Sequence, residues 1–137
     1  MSKDWAKDVN NMHTVFGVRD AVKNFDSAKL RQFLEFRIKF LNEELTETQN
    51  AAKHEKIDCE EVVDGLIDLC VVAIGTLDAF GIDAHTAWDE VYKANIVKEV
   101  GIKEGRSNPL GLPDLMKPEG WKAPNHIGNY GDLAKIN

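Results

Sequence analysis

The chain of 137 residues carries 17 basic and 23 acidic residues, a net charge of −6, which argues against nucleic-acid or anionic-membrane partners, since both want a basic face. Its 43% hydrophobic and 29% charged content is that of an ordinary globular protein, and the length suits one domain over residues 1–137. No apolar run approaches the ~20 residues of a membrane span, the opening M-S-K-D-W-A-K-D lacks a signal-peptide apolar region, and Cys59 and Cys70 form no C-x-x-C pair, so the expectation is a cytoplasmic protein with free thiols.

Residues 4–16 place Trp5, Val9, Met12 and Phe16 at spacings of four, three and four, the mark of an amphipathic helix that Gly17 would end. His13 lies beside that stripe, as a boundary histidine or a contact in a ligand pocket. Residues 18–26 read as a loop. Ser27 is then the expected N-cap of a long helix running to about His54. One stripe of it is Leu30, Leu34, Ile38, Leu41 and Leu45; a second is Phe33, Phe36 and Phe40, continuing into Glu43, Glu44 and Glu47. A helix apolar on two sides is expected between neighbours rather than on a surface. Arg37 sits two turns before Glu44 on nearly the same face, placed for a structural salt bridge or for a phosphate contact.

After a polar connection, Asp58 followed by Glu61 resembles a capping box. A nearly all-apolar helix is expected from Glu60 to Phe80, as the centre of a bundle or the core of a dimer interface. Gly65 and Gly75 within it each cost about 1 kcal/mol relative to Ala, so close helix approach or room for a ligand is expected at both. Gly81 ends that helix, and Asp83 caps another running to about Val100, with Ala84, Trp88 and Val91 inward and Asn95 and Lys98 extending the same face. Beyond Gly101 lie all four prolines and much of the glycine, an irregular tail whose Leu110, Leu112, Leu115, Met116 and Trp121 are able to pack on a helical body or a partner. The architecture is thus an all-α bundle of four to five helices, with long antiparallel helices and an irregular Pro/Gly-rich C-terminal tail.

The chemistry concentrates in E-E-L-T-E (Glu43 to Glu47) and, twelve residues later, E-E-V-V-D (Glu60 to Asp64). Carboxylates three apart share a helix face. Two of them ~4 Å apart repel by roughly 4 kcal/mol at an effective dielectric of ~20. A hard divalent cation with oxygen ligands relieves such a cluster most directly. Asp68, four residues past Asp64, is either a further ligand or the partner of a basic residue. No histidine has a glutamate three residues before it, which removes a ferritin-like di-iron site. There is no EF-hand loop, and no His or Cys cluster for zinc. Magnesium or manganese serving a phosphate substrate remains. Either motif alone reads as a solvated acidic face; the two in this order and this apolar setting do not.

The E-E-x-x-E, twelve residues, E-E-x-x-D pattern resembles the signature of the MazG-like all-alpha nucleoside triphosphate pyrophosphohydrolases, relatives of phosphoribosyl-ATP pyrophosphohydrolases and dimeric dUTPases. The likeness extends to L-C-V-V-A-I-G-T-L-D-A-F-G-I-D (69–83), to V-Y-K-A-N-I-V-K (91–98) and to L-M-K-P-E-G-W-K-A-P-N-H (115–126). It implies Glu44, Glu47, Glu61 and Asp64 as ligands of Mg2+ or Mn2+, and Glu43 as the residue orienting or deprotonating the attacking water. It implies that Asn95 and Lys98 contact the triphosphate. The implied reaction splits a nucleoside triphosphate between its α- and β-phosphates, in a homodimer or dimer of dimers. Phosphoribosyl-ATP as substrate, or a non-catalytic metal-binding helical module, are the competing readings. Trp5, Asn11, His13, Phe16 and Trp121 are the residues placed to stack on or read a base, whose identity the sequence leaves open.

Overall fold

In the computed structural model, which describes residues 3–53 and 55–137, five helices follow the apolar spacing: α1 Trp5–Val15, α2 Val18–Lys23, α3 Ser27–Lys53, α4 Cys59–Ala79 and α5 Ala84–Ile96. Two three-residue strands, β1 Glu99–Gly101 and β2 Asp114–Met116, and a C-terminal 3-10 turn Gly131–Lys135 complete the regular structure. The all-α class holds. The expected end of the long helix at His54 lies outside the described residues. The chain forms two compact units: residues up to Ala84 with Gly128–Asn137, and His85–Ile127.

In the first unit α3 and α4 run antiparallel at close range. A Cβ built on Gly65 would strike the Thr48 hydroxyl, and one on Gly75 would lie 2.7 Å from Arg37 Nη2 and 3.1 Å from the His13 ring. The two glycines are therefore the price of close approach. Thr48 and Arg37 are both buried in the seam. The Thr48 hydroxyl donates to the Glu44 carbonyl at 2.8 Å, so the side chain that Gly65 admits brings no unpaired polar atom into the interior.

The helix starts are set by aspartates. Asp58 accepts the Glu61 amide at 3.2 Å, while its own N–H donates to the Ala51 carbonyl. The reciprocal half of a capping box is absent, and Glu61 is left exposed. For α3 the cap is Asp26, which accepts the Lys29 amide at 2.9 Å. Ser27 is the first helical residue instead of the cap; its hydroxyl donates to the Ile136 carbonyl at 3.1 Å.

Two expectations are corrected, at residues 18–23 and in the tail, and the apolar faces of the long helices are covered only in part within the single chain. Residues 18–23 are a short helix rather than a loop, because Val22 anchors the core with Leu30, Ala79 and Phe80; six residues are too few for an apolar period to show. The stripe on α3 is covered only in part: Leu30 is buried, but Ile38 and Leu45 are exposed along with Phe36. Likewise Val63, Leu66 and Ile67 of α4 are exposed, so each helix keeps an open apolar face. Finally, part of the tail is regular. Leu133 and Ile136 pack against the core cluster, and the Asp132 amide donates to the Phe80 carbonyl at 2.7 Å.

In the second unit α5 stops at Ile96 rather than near Val100. The β-branched run that follows feeds a strand: Glu99 pairs Met116, Val100 pairs Leu115 and Gly101 pairs Asp114, antiparallel. Trp88, expected inward, is 71% exposed, while Ala94 is the buried residue of α5. Among the tail leucines, Leu110, Leu112 and Leu115 are exposed.

The Gly65–Thr48 contact makes a direct prediction. Gly65→Ala should lower stability by about 1–3 kcal/mol through overpacking, despite the ~1 kcal/mol that alanine gains in a helix. Adding Thr48→Ala should recover part of the loss. Urea denaturation checks this, and an unchanged midpoint for Gly65→Ala would contradict the close approach.

Candidate functional site

The contacts of Gly65 with Thr48 and of Gly75 with Arg37 fix which turns of α3 and α4 face each other. The same register sets the Glu43–Glu47 segment of α3 against the Asp64–Asp68 segment of α4. The result is visible in the charge around Glu44. Its carboxyl is pushed above the ordinary value, first by partial desolvation and then by the negative charges of Asp68, Glu47, Asp64 and Glu43. Five carboxylates from two helices therefore share one neighbourhood. Glu61, in the exposed first turn of α4, is not among the charges acting on Glu44. Asp68, which the sequence left open, is the largest of them.

The acidic cluster borders a cavity of about 330 Å³. Val9, Met12 and His13 of α1, Arg37, Phe40 and Glu44 of α3, and Asp68, Val71 and Val72 of α4 line it. That is within the size range of small-molecule sites, with apolar walls and a few polar groups. Arg37 is buried, and burial pulls its guanidinium below its ordinary value. A structural salt bridge was one expectation for it, and none forms among the described residues. Instead Nε donates to the Thr76 hydroxyl at 3.0 Å and Nη2 to the Val72 carbonyl at 2.9 Å. The guanidinium also lies over the Phe40 ring at 5.7 Å, and no carboxylate among the described residues pairs with it at the wall it shares with Glu44 and Asp68.

His13 is 8% exposed, a wall of the cavity rather than a boundary residue. Its Nδ1 meets Asp78 Oδ2 at 2.8 Å. Asp78 also accepts from Asn10 Nδ2 at 2.8 Å and from Arg19 Nη1 at 3.4 Å, tying α1 and α2 to the end of α4. Sequence reasoning missed this residue. The available signal was a carboxylate in the last turn of an apolar helix, where the helix dipole opposes it and a donor is required.

Asn95 and Lys98 belong to the second unit. Asn95 is exposed in the last turn of α5, whereas Lys98 lies past its end, so the two do not continue one helical face from Trp88. The Lys98 ammonium sits over the Trp121 ring at 5.5 Å. The Trp121 indole N–H donates to the Ala94 carbonyl at 2.7 Å.

Among the described residues no three His, Cys, Asp or Glu side chains already stand as a metal-ligand set. The chemistry of the donors nevertheless fits a hard divalent cation: every donor is a carboxylate oxygen, and the charge on Glu44 is opposed by its neighbours rather than balanced. Glu44, Glu47, Asp64 and Asp68 are the carboxylates of this neighbourhood that would have to close on such an ion, with Glu61 one turn towards the start of α4.

The fold is an all-alpha helix pair that packs through glycines, with a cavity of about 330 Å³ beside its carboxylates. A sequence model described as phosphoribosyl-ATP pyrophosphohydrolase matches residues 9–95, more than half of the chain and all of both acidic motifs. The chain belongs to that family, within the MazG-like superfamily of pyrophosphohydrolases. No curated protein matches it. No single helix among the described residues is long and apolar enough to cross a membrane.

The raised Glu44 carboxyl gives a signed expectation. Just above the ordinary carboxylate value the folded protein binds more protons than the unfolded chain, so stability of the metal-free protein should fall as pH rises through that window. Glu44→Gln should flatten the fall and be the more stable protein at pH 7, the two converging once pH drops below the ordinary carboxylate range. Urea unfolding from pH 4 to 8 in a chelator tests it; a wild type that gains stability with pH relative to the variant would contradict it.

Proposed function

We propose that the chain is a divalent-metal-dependent pyrophosphohydrolase of nucleoside or deoxynucleoside triphosphates, releasing a nucleoside monophosphate and pyrophosphate. The observation that carries this reading is a cavity lined by Glu44 of α3 and Asp68 of α4 together with the buried cation Arg37, with the charges of Glu43, Glu47 and Asp64 near enough to act on Glu44. A Mg2+ or Mn2+ ion held there by Glu44, Glu47, Asp64 and Asp68 or Glu61 would supply charge neutralisation and water activation.

Glu43 is the proposed base that orients the attacking water and takes its proton. As the water oxygen bonds to the α-phosphorus, the bond to the bridging oxygen breaks and pyrophosphate departs. Arg37 presents positive charge from the wall; Asn95 and Lys98 are the proposed contacts to the phosphate chain. The apolar walls Val9, Met12 and Phe40, with His13, are proposed to receive the nucleoside. We further propose a homodimer closed over the open apolar faces of α3 and α4, since Phe36, Leu45, Val63 and Leu66 are left exposed there and such faces mark interaction surfaces when contiguous. The free thiols Cys59 and Cys70 suit a reducing, cytoplasmic setting.

Phosphoribosyl-ATP is the second substrate reading, favoured by the description of the matching family. Both substrates present the same α–β anhydride to the same carboxylates, so products and base preference separate them. A panel of NTPs, dNTPs and phosphoribosyl-ATP with Mg2+ or Mn2+, resolved by anion exchange, should show a monophosphate plus pyrophosphate from one preferred triphosphate. Glu47→Gln and Asp64→Asn should each cut that turnover at least about 100-fold with the circular dichroism spectrum retained. Exclusive turnover of phosphoribosyl-ATP would select the second reading, and full activity in either variant would remove the acidic cluster from the mechanism.

A further inference from the structure

The β1–β2 register has a consequence at its open end. Glu99 pairs with Met116, so the next positions in that register are Lys98 and Lys117. Two ammonium groups facing each other across a strand pair repel, and lysine stems are flexible enough to splay apart into water. They do not: both sit on the Trp121 ring, Lys98 at 5.5 Å and Lys117 at 4.6 Å from its centroid.

The local sequence builds this arrangement. Pro118 restricts Lys117 to extended backbone. The turn that follows closes with the Trp121 amide donating to the Pro118 carbonyl at 3.1 Å, and Gly120 supplies the φ of +75° that it needs. The indole N–H is then pinned to the Ala94 carbonyl at 2.7 Å, which fixes the ring that both ammonium groups approach. Cation–π attraction offsets part of their repulsion.

Two of the nearby carboxylates are engaged elsewhere, while Glu99 and Glu119 flank Lys98 and Lys117 in sequence without an ion pair to either among the described residues. Glu90 is held by Lys93 at 2.6 Å and by the Asn125 amide at 3.0 Å. Asp114 is held by Arg106 at 3.3 Å and by the Lys103 amide at 3.0 Å. Among the described residues neither Lys98 nor Lys117 is ion-paired. The segment 85–127 balances six basic against six acidic residues, so the surplus of negative charge lies in the rest of the chain and does not cancel the pair. A tryptophan thus gathers two positive charges that no ion pair among the described residues neutralises.

We propose that Lys117 and Lys98 form a two-ammonium clip for a polyphosphate chain, with Trp121 as the positioning residue that holds both. That the ligand is the substrate's own triphosphate rests on the function proposed above; a free polyphosphate is the other source of the same chemistry. Inorganic tripolyphosphate, titrated calorimetrically into the metal-free full-length protein, tests the clip without turnover. Lys117→Gln should weaken its binding about tenfold, the scale of one charge-assisted contact. Lys117→Arg should restore it, and Trp121→Leu should weaken it as much as Lys117→Gln does. For the preferred nucleotide, the loss in Lys117→Gln should appear in KM rather than kcat. Weaker tripolyphosphate binding with an unmoved KM keeps the clip and assigns it to a free polyphosphate. Weaker tripolyphosphate binding in a protein that hydrolyses no nucleotide keeps the clip and overturns the proposed reaction instead. Unchanged tripolyphosphate affinity in Lys117→Gln overturns the clip whatever the enzyme does.

Discussion

Everything at the candidate site depends on how closely α3 and α4 approach. Gly65 yields to Thr48 and Gly75 yields to Arg37 and His13, and those contacts set the facing turns of the two helices. Shift the pairing by one turn, 5.4 Å, and Asp68 would no longer stand against Glu44. The intrinsic cost of glycine in a helix, about 1 kcal/mol each, is thus spent on register. What register delivers is an arrangement that is unfavourable by itself, carboxylates raising one another's proton affinity. Folded structures keep such local conflicts mainly where function requires them.

The cavity draws its character from the same packing. Arg37 reaches it because Gly75 leaves space, and its bonds to the Thr76 hydroxyl and Val72 carbonyl orient the guanidinium without neutralising it. His13 reaches it because Asp78 holds its ring. Asp78 in turn gathers Asn10 and Arg19, so one carboxylate at the end of α4 fixes where α1 stands. Arg37 is therefore one pre-positioned positive charge in the same lining as Glu44 and Asp68, an arrangement suited to a ligand that carries negative charge beside an apolar body.

Much of this was legible in the sequence. The helical stretches around Val9, Leu30 and Val72 repeat with helical period, and the two acidic motifs mark the segments that carry Glu43, Glu44, Glu47 and Asp64, while Asp68 in place of Glu61 was not legible. Gly65 and Gly75 were readable as points of close approach. What escaped depends on tertiary partners. Helix α2 is too short to show a period, and exists because Val22 has a core to enter. Arg37 was readable as a charge near Glu44, but nothing local says that neutral oxygens would hold it. The end of α5 was misjudged because Val97, Val100 and Ile102 extend an apolar pattern that a strand uses equally well. Trp121 lay in a recognisable motif, yet its hold on two lysines requires the β1–β2 register.

The central claim is that the helix pair holds its carboxylates for a divalent cation. Titrating the full-length protein with Mn2+ and following the free-ion signal by electron paramagnetic resonance measures this without a substrate. The account predicts saturable depletion of free Mn2+, competed by Mg2+ and lost in Glu47→Gln and Asp64→Asn. Undiminished free Mn2+ in the presence of folded wild-type protein would contradict it.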